Sequence, residues 1–229
     1  MSDVLGKALY DYQFQNSPGK LWINNRYGER ELMDLAIYFR NEDDMTDLEW
    51  LAMNECRGKV LDIGAAAGSH ALELQTRGYD VTALDISPLA INVMQARGVH
   101  KVQQADIFTY SGTTYDTLLL LMNGIGLAGT LKDLPALLLH MKSLLEPGGQ
   151  LLFDSSDVTY LYDGNLPANQ VYYGEIAYQY QYKQQKSNWF NWLYVDEQSL
   201  LEVANEAGFA TEVLYEDEYQ QYLVRLTTI

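Results

Sequence analysis

The spacing of apolar residues changes near residue 59. From there, short apolar runs alternate with stretches in which apolar residues recur every three or four positions, the rhythms of strand and helix in turn. The run 60–63 predicts a first strand, 70–77 its helix and 80–84 a second strand. Ser87-Pro88 opens the next helix, a side-chain cap followed by proline in the first turn. Leu89, Ala90, Val93 and Met94 form its inner face and Gly98 its stop. Residues 99–104 predict a third strand. The run 115–122 is the most apolar, with Leu118 to Leu121 uninterrupted, as a strand covered on both faces requires. Thr130 and Asp133 cap a helix whose Leu134, Leu137, Leu138, Met141, Leu144 and Leu145 keep helical spacing. Glu146-Pro147-Gly148-Gly149 ends it ahead of a strand at 150–153. Asp196 starts a last helix with Leu200, Ala204 and Ala207 inward, and 210–214 and 220–227 read as two closing strands.

Two regions depart from this alternation. Residues 1–57 are polar and aromatic, with a turn at Ser17-Pro18-Gly19 and two stretches of helical character. One of them carries the capping-box spacing Thr46-Asp47-Leu48-Glu49. The region reads as an N-terminal helical lid or brace, with Trp22, Tyr27, Tyr38 and Trp50 packing against the main domain, 58–229. The second departure, about 157–195, holds much of the tyrosine. Tyr178, Tyr180 and Tyr182 recur at period two, Trp189, Phe190 and Trp192 follow, and 184–188 makes the connection of an inserted aromatic β-hairpin.

Charge narrows the function. Against 31 Asp+Glu stand 15 Lys+Arg, a formal charge of −16 over 229 residues. Phosphate backbones and anionic membranes are bound largely through cations, so neither is an expected partner. Cys56 is the only cysteine, which excludes an internal disulfide and a cysteine metal cluster; no metal is expected, and a reducing cytoplasm is the expected setting. No apolar run approaches the roughly 18 residues that span a bilayer.

The candidate chemistry sits where the first strand ends. Asp62-Ile63-Gly64-Ala65-Ala66-Ala67-Gly68 is a strand tip, a bend of small residues and a helix start. Such a bend lets backbone approach a ligand, and free N–H groups opening the helix suit a nucleotide. Asp85 closes the second strand, 21 positions past Gly64, and Asp106 the third, another 21 on. A carboxylate at Asp85 can accept from both hydroxyls of a ribose. Three acidic or small ligand-facing positions thus recur in successive strand-helix units, as a parallel sheet with a common binding edge would give.

In this order the residues resemble the class I methyltransferases that use S-adenosyl-L-methionine. Their acidic-x-Gly-x-Gly-x-Gly motif is met by Asp62, Gly64 and Gly68, with Ala66 where the middle glycine is usual. Asp85, Asp106, the Pro-Gly-Gly lead into the fifth strand and the closing pair of strands extend the likeness over roughly three quarters of the chain. The resemblance implies an α/β Rossmann-like fold with a mostly parallel seven-stranded sheet, order 3-2-1-4-5-7-6, its last strand antiparallel, with helices on both faces. It also implies roles. Asp62 would lie near the ammonium of the methionyl part, and backbone at Gly64, Ala65, Ala66 and Gly68 would contact the methionyl and ribose region. Asp85 would bind the ribose diol, Ile86 would cover an adenine face, Asp106 with Ile107 beside it would meet the adenine amino group, and Asn123 would face the sulfonium. Tyr38 and Arg40 are candidates to close over the methionyl carboxylate. His70 and His140 read as packing or surface residues.

The expected reaction is methyl transfer to a small-molecule acceptor by in-line displacement, leaving S-adenosyl-L-homocysteine. The sulfonium makes transfer favourable, so orientation suffices for a neutral amine, while an oxygen nucleophile wants a base such as Asp154, Asp157 or a tyrosine. Tyr172, Tyr173 or Trp192 would line the acceptor pocket; alternatively the aromatic run is a packed hairpin or the face of a homodimer. An aminopropyl transferase and a non-catalytic adenosyl-ligand-binding module remain alternatives on the same fold. A nicotinamide enzyme fits less well, since its Gly-x-Gly-x-x-Gly spacing differs.

Overall fold

The structure, a computed structural model, describes residues 3–15, 18–162, 166 and 171–229; Ser17 of the predicted turn and part of the 157–195 insertion lie outside the described residues. Helix α1 (Val4–Phe14) is followed by strands β1 (Leu21–Asn25) and β2 (Glu31–Met33) and by α2 (Asp47–Asn54). Then come β3 (Lys59–Ile63), α3 (Ser69–Thr76), β4 (Asp80–Asp85), α4 (Pro88–Arg97), β5 (Val102–Gln104) and β6 (Tyr115–Leu120). The chain continues through α5 (Leu134–Lys142), β7 (Leu145–Ser156), β8 (Glu175–Tyr182), β9 (Gln185–Lys186) and β10 (Phe190–Leu193). It ends with α6 (Glu197–Glu206), β11 (Phe209–Glu216) and β12 (Gln221–Thr228). Among the described residues no helix is long and apolar enough to cross a membrane.

The main sheet runs β11-β12-β7-β6-β3-β4-β5. Counted from β3, that is the expected order 3-2-1-4-5-7-6. Strands β4 and β5 are parallel, as are β6 and β7, whereas β12 lies antiparallel to both β7 and β11. The fold is Rossmann-like. Leu118, Leu119 and Leu120 are wholly buried, which accounts for the unbroken apolar run that predicted this strand.

Two compact units divide the chain. The first comprises residues 1–46, 61–110 and 177–190, the second 47–60, 111–176 and 191–229. In the first unit, α1 and α4 share an apolar cluster built from Val4, Ala8, Leu9, Leu21, Leu35, Ala67, Ala90, Val93 and Tyr182. Their N-termini are joined by hydrogen bonds. Asp3 Oδ1 accepts from the Gly6 amide at 3.0 Å, Ser87 Oγ accepts from the Ala90 amide at 2.9 Å, and Ser87 Oγ donates to Asp3 Oδ2 at 2.6 Å. A Cβ on Gly6 would overlap this joint, so glycine is required there.

The helical reading of the N-terminal region holds at α1 and α2 but not between them, where β1 and β2 are strands. They form a second, small sheet with the aromatic hairpin, order β10-β8-β1-β2 with β9 paired to β8. Strand β1 lies antiparallel to β8, with Leu21 opposite Tyr182, Ile23 opposite Tyr180 and Asn25 opposite Tyr178. A local window over residues 20–40 holds neither the partner strand nor its register, and this non-local pairing decides the conformation.

Candidate functional site

The bend after β3 is a tight backbone trap. Gly64 and Gly68 have φ of 72° and 81°, and Ala66 has φ of 50°. Ala66 therefore holds the left-handed conformation that glycine takes without strain, at the position where the family motif has glycine. At Gly68 a Cβ would also stand 2.9 Å from Val99 Cγ2 and 3.0 Å from Met94 Cγ.

Four of the bend's amides are turned into the protein. Those of Gly64 and Ala65 donate to the Leu84 carbonyl at 2.9 and 3.0 Å, and that of Gly68 donates to the Ala65 carbonyl at 2.7 Å. The Ala66 amide donates to Asp85 Oδ2 at 2.9 Å. At the helix start, the Ala71 amide donates to the Asp62 carboxylate. A loop whose donors are turned inward is a poor host for phosphate and a better one for a cation.

Asp62 supplies the acceptor. It is 2% exposed, and its Oδ2 is buried with no hydrogen-bond partner. Burial pushes its pKa up to about 6; His70 and the Ala71 amide oppose the rise, and Asp85 adds slightly to it. A buried carboxylate oxygen without a donor costs free energy unless a ligand supplies one.

Asp85 ends β4 with both oxygens engaged, Oδ2 by Ala66 and Oδ1 by the Ser87 amide at 2.8 Å. Burial raises its pKa, Asp3 nearby adds to the rise, and these amides oppose it. The Ile86 amide adds a third bond, and of the roughly four acceptor directions of a carboxylate one is left for a ribose hydroxyl. Ile86 is 66% exposed, a bare apolar surface next to the carboxylate. Asp106, just past β5, accepts from the Phe108 amide through Oδ1 at 3.0 Å, while Ile107 is buried. Asp62, Gly64, Ala65, Ala66, Gly68, Asp85, Ile86, Asp106 and Ile107 all belong to the first unit, at the carboxyl ends of β3, β4 and β5. This edge offers a buried acceptor, a carboxylate and an exposed apolar face, a set matched to an ammonium, a ribose hydroxyl and a flat ring.

Sequence reasoning did not single out Arg97, which fastens this edge. Its Nη1 donates to the carbonyl of Ala67 at 2.7 Å, to that of Tyr38 at 3.3 Å and to Ser69 Oγ at 3.1 Å; its Nη2 donates to the Phe39 carbonyl at 3.3 Å. Ser69 Oγ donates to the Tyr38 carbonyl at 2.7 Å. The guanidinium also lies 5.0 Å from the Phe39 ring centroid. Segment 38–39 is thus held on the helix start, although nothing local in the sequence marks Arg97 as more than a last-turn cation. Arg40 instead donates through Nε to the Ile37 carbonyl at 2.9 Å.

Asn123 lies in the second unit, in the left-handed region at φ 55° and preceded by Met122 at φ 62°. Its amide donates to both oxygens of Asp154 at 2.9 Å, its Oδ1 accepts from Ser156 Oγ at 3.0 Å, and its carbonyl accepts from Trp192 Nε1 at 3.0 Å. Asp154 is 1% exposed and also accepts from Gln221 Nε2 at 2.8 Å. It holds the Asn123 turn. Tyr172 Oη donates to Asp196 Oδ2 at 2.5 Å, Tyr173 Oη donates to Asp157 Oδ1 at 3.1 Å, and Asp196 caps α6 through the Ser199 amide. The polar groups of Tyr172, Tyr173 and Trp192, the expected pocket lining, are therefore engaged within the protein.

A family model described as a methyltransferase domain matches residues 26–213. Among solved structures, the chain is similar to a SAM-dependent methyltransferase from Bacteroides fragilis, crystallised in complex with S-adenosyl-L-homocysteine. The two are 38% identical with a TM-score of 0.91, over 99% of this chain and 94% of that one. It is also similar in fold to CalS10, an amino pentose methyltransferase from Micromonospora echinaspora, at 16% identity and a TM-score of 0.61, covering 88% and 100% of the two chains. A methyltransferase from Clostridium acetobutylicum gives 13% and 0.61, over 81% and 93%. No curated protein matches the sequence.

Proposed function

Given that the chain belongs to the methyltransferase domain family and is an S-adenosylmethionine-dependent methyltransferase, we propose that it methylates a small organic acceptor by direct in-line displacement. The observation that carries the site assignment is Asp62, a buried carboxylate with a bare oxygen beneath a bend whose amides face inward. That oxygen suits the methionyl ammonium. Carbonyl and Cα surfaces of Gly64, Ala65, Ala66 and Gly68 flank the methionyl and ribose part, and Asp85 accepts from a ribose hydroxyl. Ile86 covers one adenine face, and Asp106, with Ile107 beside it, accepts from the adenine amino group. Asn123 is carried in the proposal by the family pattern at the end of the fourth strand. The cofactor supplies an activated methyl group on a positive sulfur. What the protein adds is orientation, worth about 7–11 kcal/mol when the reacting atoms are held in line.

Acceptor choice is assigned to the N-terminal segment and to the hairpin within 157–195. In support, α1, β1 and β8 build the same apolar cluster as Ala67 of the bend. A thermal-shift panel of S-adenosylmethionine, S-adenosylhomocysteine, NAD and NADP tests the site. A selective rise with the first two is expected through ligand linkage, and Asp85→Asn should abolish most of it. Equal shifts with the dinucleotides would overturn the assignment, because they need the amide donors that this bend directs inward.

A further inference from the structure

We infer that the core-facing side of the small sheet is the acceptor wall of this enzyme, and that it selects an amine carried on a ring, received between the rings of Tyr178, Tyr180 and Phe190 and the carboxylate of Glu31. The inference rests on the methyl-transfer reading above and names the acceptor's chemical class.

Register fixes which side chains share that face. Leu21 is wholly buried and stands opposite both Tyr182 and Met33, so this side faces the core. With period two the same side presents Ile23, Tyr180 and Glu31 in one row, and Asn25 and Tyr178 in the next. Phe190 joins them, its ring centroid 5.1 Å from that of Tyr180 and 6.4 Å from that of Tyr178. These rings are only half-buried, whereas Tyr182 at the other end of β8 is 1% exposed. The face therefore runs from closed core to open wall.

The wall and the bend share an apolar cluster. Tyr38, Ala66 and Tyr180 all pack against one apolar cluster, and the Tyr38 backbone is pinned to Ser69 and Arg97. Among the described residues neither the Tyr38 nor the Tyr180 hydroxyl has a hydrogen-bond partner. Burial pushes Tyr38 up to about 12 and Tyr180 higher still, with Tyr38 and Tyr178 adding to the rise at Tyr180. Both phenols stay neutral and keep a donor and an acceptor for a ligand.

Charge on the wall has one sign. Of the residues that β1, β2 and β8 place on this side, Glu31 is acidic and none is basic. The nearby lysines are engaged, Lys7 and Lys183 both on Asp11. Arg30 stacks on Trp22, which faces the opposite side, and Arg26 stacks on Trp189. An ammonium here meets ring faces and a carboxylate, while none of the residues that β1, β2 and β8 place on this side is a cation for an anion to meet. For transfer, the bound amine releases its ammonium proton to solvent and its lone pair forms the N–C bond. The C–S pair passes to sulfur, and the product ammonium carries the charge that the sulfonium held.

Benzylamine, benzyl alcohol and benzoate serve as probes, titrated by ligand-observed NMR against enzyme saturated with S-adenosylhomocysteine. Benzylamine should bind about five- to tenfold more tightly than the alcohol, and benzoate should not bind. Glu31→Gln should weaken benzylamine roughly three- to tenfold and leave the alcohol unchanged, and Tyr180→Leu should weaken both. Unchanged S-adenosylhomocysteine affinity in each variant shows an intact fold. Bound cofactor product with no preference for the amine, or with variants that leave benzylamine affinity unchanged, overturns this inference alone. Absence of S-adenosylhomocysteine binding overturns the methyl-transfer reading and the inference with it.

Discussion

At Asp62 a single side chain carries two opposed demands. One oxygen accepts from the Ala71 amide and the other is buried and bare. Burial raises the pKa to about 6, above the ordinary carboxylate value near 3.8. A rise of that size corresponds to about 3 kcal/mol between the two protonation states. Because the folded value lies above the unfolded one, the stability linked to this group is fully present below about pH 4. It is lost as pH rises to about 6 and is constant above. An ammonium ligand needs the ionised form, so S-adenosylhomocysteine affinity should climb up to about tenfold per pH unit below 6 and level off beyond, as read by calorimetry between pH 5 and 7. Asp62→Asn should raise the melting temperature of the free protein while weakening the ligand at least about tenfold. A variant that loses stability and keeps affinity would contradict the assignment. Ala66 has the opposite character. Its left-handed φ costs about 1 kcal/mol against glycine, so Ala66→Gly should stabilise by up to about 1 kcal/mol in urea unfolding, less the entropy glycine adds to the unfolded chain. At this scale the sequence was legible wherever residue type alone states a backbone need, as at Gly64 and Gly68. The direction of the bend's amides was not, because it depends on Leu84 and Asp85 in the next strand.

Elements are tied together by one carboxylate that looks unremarkable in the sequence. Asp11 sits in the middle of α1 with no exposed surface and takes four donors. Lys7 Nζ and Gln15 Nε2 donate to Oδ1, both at 2.7 Å, while Lys183 Nζ at 2.6 Å and Tyr182 Oη at 3.1 Å donate to Oδ2. Burial alone would raise its pKa; the bonds from Lys183, Lys7 and Tyr182 outweigh it and hold the value below the usual range. Tyr182 Oη also accepts from the Gly19 amide at 2.9 Å, so helix, first strand and hairpin turn meet at this point. Asp11→Ala should cost about 2–4 kcal/mol, less than a wholly buried pair because both lysines are half exposed. Faster hydrogen exchange at α1 and β8 than in the main sheet would show that the loss is local, and uniform acceleration would deny the latch. The period-two tyrosines announced β8 from the sequence. Strands β1 and β2 gave no comparable signal, since Leu21 finds Tyr182 only after the intervening sheet has folded back. An acid in the inner face of α1 likewise reads as surface until its partners, far along the chain, are known.

Taken whole, the molecule carries 31 acidic side chains against 15 Lys+Arg, a formal charge of −16. Many of its cations hold structure. Arg97 is turned onto carbonyls, Lys7 and Lys183 onto Asp11, and Arg77 onto Glu73 and Glu42. The acidic excess on the surface is left to repel itself, an effect that opposes the compact state and weakens as salt shortens the Debye length to about 10 Å at 0.1 M. Raising sodium chloride from about 20 to about 300 mM should therefore raise the melting temperature, in a range where exclusion of salt from apolar surface is still small. The same change should leave S-adenosylhomocysteine affinity nearly constant, because the carboxylate proposed to receive its ammonium, Asp62, is buried where mobile ions do not screen it. A melting temperature that falls with salt would mean that the structural ion pairs at Asp11 and Glu73 outweigh the surface repulsion. An affinity that falls with it would place the ligand's ammonium at an exposed carboxylate instead of at Asp62.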